Sequence, residues 1–414
     1  MTSCPPRAGL RPALLALLAT ACGETVATAP DASSPDAPAP DAPPADDILD
    51  APKPDAALDV SAPDAAPDAP IAQDVSPPPA DLPTEASVAH LAGVTCASTP
   101  PEGATRSPPL PAYSGGTCPT LRPGTNTIRT TGGDRSFILV VPTGFDRARP
   151  APLVFIWHWL GGSASSVVNN AMAQPIADAL GVIVAIPEKK TDLAIRIPII
   201  NRDFDPAWPY LNLASAARVE EEARFFDDVI ACVHASYGVN ADCISSAGVS
   251  AGALWTSQLM QIRSERLASA IILSGGVGPA TSTGVIDARG WTAPPRAIPT
   301  LLGWGGPIDQ CGLNFNTASR SLGTRLHMAG SFVEECIHNC GHTVPPVDDQ
   351  AAGLRVLLRF AVDHPYWLRR GESPYLHDGL PTGTPSWCAI GVGRAVARTG
   401  ACPSAFMSCP VPAL

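Results

Sequence analysis

Cys243-Ile-Ser-Ser-Ala-Gly-Val-Ser250-Ala-Gly252 is the stretch from which the fold can be read. Residues 243–249 are small and apolar, the pattern of a short strand buried in a parallel sheet. The run leads directly into Ser250, and a helical stretch over 254–263 follows almost at once. Gly248-Val249-Ser250-Ala251-Gly252 is a G-x-S-x-G pentapeptide. Alone it is a weak signal, but a tight strand-to-helix turn around a serine lifts its hydroxyl clear of the sheet. Glycines suit such a turn because no Cβ meets the adjoining strand or helix. The helix N-terminus beneath favours negative charge developing at a reacting carbonyl. The plain alternative is an ordinary strand-to-helix turn with a capping serine.

Outward from this turn, short β-rich runs alternate with helical stretches. Strands are expected at 136–142 (SFILVVP), 153–157 (LVFIW), 182–187 (VIVAIP), 268–273 and 300–304, with another near 330–333. A helix is expected at 172–180. Val219, Ala223, Phe226, Ile230 and Val233 recur at helical spacing, and Glu220–Glu222 fall where the dipole of that helix favours negative charge. Such alternation implies right-handed crossovers and an α/β fold: a mostly parallel sheet with helices on both faces. One catalytic domain over 91–414 accommodates it, with a Cys- and Gly-rich extension packing on it from about 371. Residues 189–214, rich in Pro, Asn and Asp and carrying Trp208 and Tyr210, read either as a lid or as a connecting loop.

A serine hydroxyl needs a base to become a nucleophile, and that base is a histidine oriented by a carboxylate, in chain order Ser, Asp/Glu, His. His342, in Asn339-Cys340-Gly341-His342-Thr343, is the first candidate base and His338 its rival. Asp309, just past the strand ending in Trp304, is the candidate acid. Asp287 is its rival, while Glu334 and Glu335 fall too early in their strand. Asp309 and His342 would both project from the carboxyl ends of strands, where such sheets hold their sites. An oxyanion also needs two N–H donors. Ala251 supplies one by position, and the loop His158-Trp159-Leu160-Gly161-Gly162 should supply the other.

The ordering strand, HWLGG, strand, GVSAG, GGPID, NCGHT resembles the α/β-hydrolase esterases of the polyhydroxybutyrate depolymerase and feruloyl esterase group, over about 127–346. The resemblance implies an α/β-hydrolase fold, a secreted serine esterase, and a triad falling on Ser250, Asp309 and His342. Such oxyanion loops usually read HG-x-x-G. Here Trp159 occupies the first glycine position, and the second donor becomes the Leu160 N–H. Trp159 and Trp255 are candidates to contact an aromatic or sugar-bearing substrate, with core packing as the alternative. Trp157 and Trp304 are read as core. The chemistry requires no metal or organic cofactor.

The N-terminus reads as an export address. Arg7 and Arg11 precede the short apolar run 13–21, too short to span a bilayer. Leu18-Ala19-Thr20-Ala21-Cys22-Gly23 resembles a bacterial lipoprotein signal over residues 1–22, which implies lipidation of Cys22 and attachment to a membrane. Ordinary cleavage near Ala21 is the alternative. A linker follows over 23–90. Its residues 24–85 hold 12 Asp, 2 Glu, 15 Pro and one Lys, a charge of −13 against −11 for the whole chain. This composition cannot bury apolar surface and should stay disordered. Extended, its 62 residues reach at most roughly 190 Å.

The remaining body is close to neutral and has no basic run or stripe, so a nucleic-acid partner is not expected. Ten cysteines beyond Cys4 and Cys22 point to disulfides in an exported protein, with Cys232–Cys243 the favoured bridge. Zinc at Cys336 and Cys340, with His338 and His342 close by, is the weaker alternative because no second organised ligand pair stands out. The expected function is hydrolysis of carboxylic esters derived from a polysaccharide or polyester, at the cell envelope or secreted. A serine peptidase on the same fold and a non-catalytic binding protein are the alternatives.

Overall fold

The computed structural model describes residues 85–191, 195–197, 202–281, 286–347 and 349–402, all within the unit Pro70–Leu414. The expected signal segment with Cys22, and the linker up to residue 84, lie outside the described residues.

The strands are β1 (Gly124–Thr130), β2 (Gly133–Val140), β3 (Ala151–Trp157), β4 (Ile183–Pro187), β5 (Ile195–Ile197), β6 (Arg202–Phe204), β7 (Val239–Val249), β8 (Ser269–Leu273), β9 (Thr300–Trp304), β10 (Gln310–Cys311), β11 (Leu313–Asn314), β12 (Val333–Ile337) and β13 (Cys388–Ile390). The helices are α1 (Glu85–Val88), α2 (Ala164–Asn170), α3 (Ala173–Leu180), α4 (Ala216–Tyr237), α5 (Ala251–Ile262), α6 (Phe315–Met328), α7 (Gln350–Asp363) and α8 (Tyr375–Asp378).

Nine strands form one sheet in the order β1-β2-β4-β3-β7-β8-β9-β12-β13. The run from β4 to β12 is parallel throughout, while β1, β2 and β13 pair antiparallel at the edges. Period-two alternation distributes side chains between two cores. In β3, Leu153, Phe155 and Trp157 face the layer built with α4, α5 and α6. Val154 and Ile156 face the layer built with α2, α3 and α7. Continuous apolar runs are what a strand covered on both faces requires.

The expected strand near 330–333 begins later, at Val333. Gly330, at φ 69°, terminates the preceding helix and delays it. Glu334 and Glu335 therefore sit mid-strand and buried, and His338 follows immediately after the strand. The edge strand β1, which pairs with β2 over its whole length, is not foreshadowed by any apolar run. Within 189–214 the structure forms the hairpin β5–β6. Trp208 and Tyr210 are buried in the α4 layer, so these aromatic residues belong to the core rather than to a movable flap.

Four disulfides join described residues: Cys96–Cys243, Cys118–Cys232, Cys336–Cys388 and Cys340–Cys402. The expected Cys232–Cys243 bridge is not formed. The turn between helix and strand lies at Tyr237–Val239, so Cys232 is more than a turn back inside α4 and Cys243 is well inside β7. Each instead reaches the N-terminal arm that precedes β1. Cys336 and Cys340 are both in disulfides, which leaves neither as a thiolate for zinc. The extension beyond 371 contributes β13 to the sheet edge and two of these bridges.

Candidate active site

Ser250 stands between β7 and α5 at φ 55° and ψ −121°, a region that costs a non-glycine residue about 1–3 kcal/mol and persists only when the surroundings enforce it. They do. A Cβ on Gly248 would lie 2.2 Å from Gly252 O, and one on Gly252 would lie 2.1 Å from Trp157 O. Both positions must be glycine for strand and helix to meet so closely. Ser250 N donates to Leu273 O at 3.0 Å, pinning the turn to β8.

Ser250 Oγ lies 2.7 Å from His342 Nε2, and His342 Nδ1 lies 2.7 Å from Asp309 Oδ1. Because Nδ1 faces a carboxylate it carries the hydrogen, which leaves Nε2 to accept the serine proton. The imidazole stacks on Phe315 with centroids 4.2 Å apart. Asp309 is fully buried, and its Oδ2 accepts hydrogen bonds from Ser274 Oγ and from Gly305 N, both at 2.7 Å. The loop carrying His342 crosses Gly305 so closely that a Cβ there would lie 1.9 Å from Gly341 O. A hydroxyl, an imidazole and a buried carboxylate thus form one hydrogen-bonded chain just past the carboxyl ends of β7, β9 and β12. Such a chain can withdraw a proton from the serine and return it to a leaving group.

The rival residues are elsewhere. His338 is buried, its Nδ1 accepts from Cys340 N, and its ring meets Trp387 edge-on at 5.7 Å. Burial pushes its pKa down to about 4, so it is neutral at ordinary pH. Asp287 accepts from the Ala280 and Ala288 amides and organises its own loop.

Ala251 opens α5, where first-turn amides have no partner within the helix. Leu160 sits in a turn closed by Gly162 N donating to Trp159 O at 2.9 Å. Trp159 is half-buried against the α7 layer and lies along Gly162. Trp255, by contrast, is fully buried and edge-on to Trp157, so it forms no wall of a cleft. That corrects its place among candidate substrate contacts; α5 turns this face into the sheet.

Sequence reasoning overlooked the brace behind the 158–163 loop. His158 is wholly buried, with Nδ1 2.9 Å from Trp159 O and Nε2 3.5 Å from Glu188 Oε1. At that length the Nε2 contact is not a hydrogen bond. Glu188 Oε2 also accepts from Ala164 N, the first residue of α2. Burial opposes ionisation of Glu188, but the contact with His158 and the hydrogen bonds from the Ala164 and Lys189 amides outweigh it and hold its pKa below the usual range. Trp208 Nε1 donates to His158 O at 2.8 Å, closing the support from beneath. The only local clue was an acid placed directly after a fully apolar strand.

The fold is that of the α/β-hydrolases. A solved structure described as native pOPH superposes with a TM-score of 0.53 at 18% identity, covering 66% of this chain and 97% of that one. In sequence, the chain is similar to feruloyl esterase D of Neurospora crassa, 24% identical over 166 residues, 40% of this chain and 54% of that protein. It is also similar to a probable feruloyl esterase C of Aspergillus terreus, 28% identical over 159 residues, 38% of this chain and 52% of that protein. The matches thus span about half the length of these curated relatives. No family model matches the chain.

Proposed function

We propose that this protein is a serine hydrolase of carboxylic esters, with Ser250 as nucleophile, His342 as general base and acid, and Asp309 as the group that orients His342. The observation that carries this reading is the unbroken hydrogen-bonded chain from Ser250 through His342 to Asp309 at a strained strand-to-helix turn. Ser250 Oγ attacks the ester carbonyl while its proton passes to His342 Nε2. The oxyanion is held by the Leu160 and Ala251 N–H groups. His342 returns the proton to the departing alcohol, leaving an acyl-serine. Water, deprotonated by His342, then releases the acid and restores Ser250.

Feruloyl or acetyl esters of a polysaccharide are the proposed substrates, supported by the sequence similarity to feruloyl esterases and by half-buried Trp159 within the 158–162 loop. Esters of hydroxybutyrate are the second class to try. We further propose export through residues 1–22, lipid attachment at Cys22 and a tether that ends at residue 84 rather than 90, because Glu85–Leu91 are helical and bury Val88 and Leu91. Globomycin-sensitive labelling with a fatty-acid probe, lost in Cys22→Ala, tests the anchor.

A fluorophosphonate probe, with the labelled residue located by mass spectrometry, tests the nucleophile. Labelling at Ser250 that disappears in His342→Ala is expected, together with turnover of ester but not peptide substrates. A folded, unlabelled protein would overturn the reading in favour of a binding protein.

A further inference from the structure

A second site lies at the other end of the sheet. Residues 291–297 lead toward the start of β9, α6 ends ahead of β12, and Tyr366 and Arg370 follow α7. Between these segments is a cleft of about 780 Å³ lined by Trp291, Pro294, Arg296, Arg325, Tyr366 and Arg370, among others. Its lining includes three arginines and no Asp or Glu. Because the body beyond the acidic leader is near neutral, this is a local excess of positive charge.

Among the described residues, none of the three arginines is ion-paired. Arg296 donates to Leu267 O at 2.9 Å and Tyr366 O at 2.8 Å and lies over the Tyr366 ring at 4.2 Å. Burial lowers its pKa to about 10, with Tyr366 and Asp242 opposing the shift. Arg370 Nε donates to Ala329 O at 2.7 Å, which leaves its terminal nitrogens for a ligand. Arg325 and Arg370 are both exposed, and Trp291 is half-buried at the rim. Unneutralised guanidinium forks match carboxylates bidentately, and a tryptophan ring offers an apolar surface with one polar edge.

We propose that this cleft binds an acidic polysaccharide, with Arg325 and Arg370 taking uronate carboxylates, Trp291 packing on a sugar ring, and Arg296 supplying fixed positive charge behind them. A nucleic acid is disfavoured by the same observations. The arginines form a short concave cluster rather than the extended basic stripe that tracks a phosphate backbone. Since Ser250, Asp309 and His342 lie past the carboxyl ends of the strands, a polymer held at the opposite ends leaves the nucleophile free. The cleft would keep the protein on its polymer between encounters.

Affinity electrophoresis of the full chain through gels containing polygalacturonate, neutral arabinoxylan or no polymer tests this. Retardation by polygalacturonate alone is expected, weakened by roughly 0.3 M salt. Apparent affinity should fall about fivefold or more in the Arg325→Ala/Arg370→Ala double variant and in Trp291→Ala. The double variant should keep the wild-type melting temperature and its rate on a small soluble ester. Ser250→Ala should still be retarded, so binding and the esterase reading stand or fall separately. Unretarded wild type, equal retardation of wild type and the double variant, or equal retardation by arabinoxylan or by DNA would each overturn the proposal.

Discussion

Ser274 Oγ donates a hydrogen bond to Asp309 Oδ2 at 2.7 Å, using the carboxylate oxygen that His342 leaves unused. Ser274 is itself at φ 51°, immediately after β8, and its N donates to Gly303 O at 2.7 Å. The carboxylate is therefore held from two directions before any substrate arrives. Ser274→Ala removes one hydrogen bond to a buried charge, worth about 1.5 kcal/mol or more, so kcat should fall roughly tenfold. Steady-state rates check this; an unchanged kcat would show Ser274 to be dispensable.

Asp309→Asn tests the tautomer argument. An amide in place of the carboxylate can present a donor to Nδ1, which turns the imidazole's acceptor nitrogen away from Ser250. The expected drop in kcat is about 10³–10⁴-fold with the fold intact. Circular dichroism alongside kinetics separates that result from unfolding.

Glu188 should act on the rate through the loop it braces. Glu188→Ala leaves His158 Nε2 and the Ala164 amide without their carboxylate partner, while Ser250, His342 and Asp309 keep theirs. We expect kcat to fall by about 10-fold or more with KM changed less than threefold, since the oxyanion is held only during reaction. Glu188→Gln should recover part of the loss. A pure KM effect would instead place this brace in substrate binding.

Burial, with Asp363 nearby, pushes Glu334 up to about 8. Its folded pKa thus exceeds the unfolded value, so the folded state binds the extra proton between them. Stability is full below about pH 4.5 and is lost as pH rises toward about 8. The shift sets a ceiling of about 5 kcal/mol on that loss. Glu334→Gln should therefore narrow the difference in melting temperature between pH 5 and pH 8, a comparison open to scanning calorimetry. An equal difference in both proteins would mean that other groups set the pH dependence.

Cys340–Cys402 lies two residues from His342, and the same loop is held by Arg398 Nη1 donating to Asn339 Oδ1 at 2.8 Å. Replacing both cysteines by alanine should lower kcat as well as the melting temperature. Replacing Cys96 and Cys243, which are remote from the loop, should lower the melting temperature alone. Rates measured well below both melting points distinguish the two outcomes.

Much of this arrangement was legible in residue order. Apolar runs such as Leu153–Trp157 and Leu301–Trp304 announce strands covered on both faces, and a serine between Gly248 and Gly252 announces the sharp turn. The elements that escaped are those whose signal lies in tertiary partners. Strand β1 carries a single apolar residue, Ile128, among Gly, Thr, Asn and Arg, and exists because β2 offers it a ladder. Cysteine pairing depends on where a helix ends, which is a matter of one turn. Phe315 beneath His342 and Glu188 behind His158 are joined to the site across long chain separations, with no spacing rule to mark them.

The bridges have a consequence for wear. Cys118–Cys232 closes a loop that contains β1 to β6 and most of α4, and Cys96–Cys243 encloses that loop in a larger one. A protease that cuts once anywhere between 118 and 232 therefore separates no fragment: both pieces stay covalently joined, with Ser250, Asp309 and His342 all on the same one. Damage in that half of the molecule is survivable, and a nicked population would look intact until a reducing agent was added.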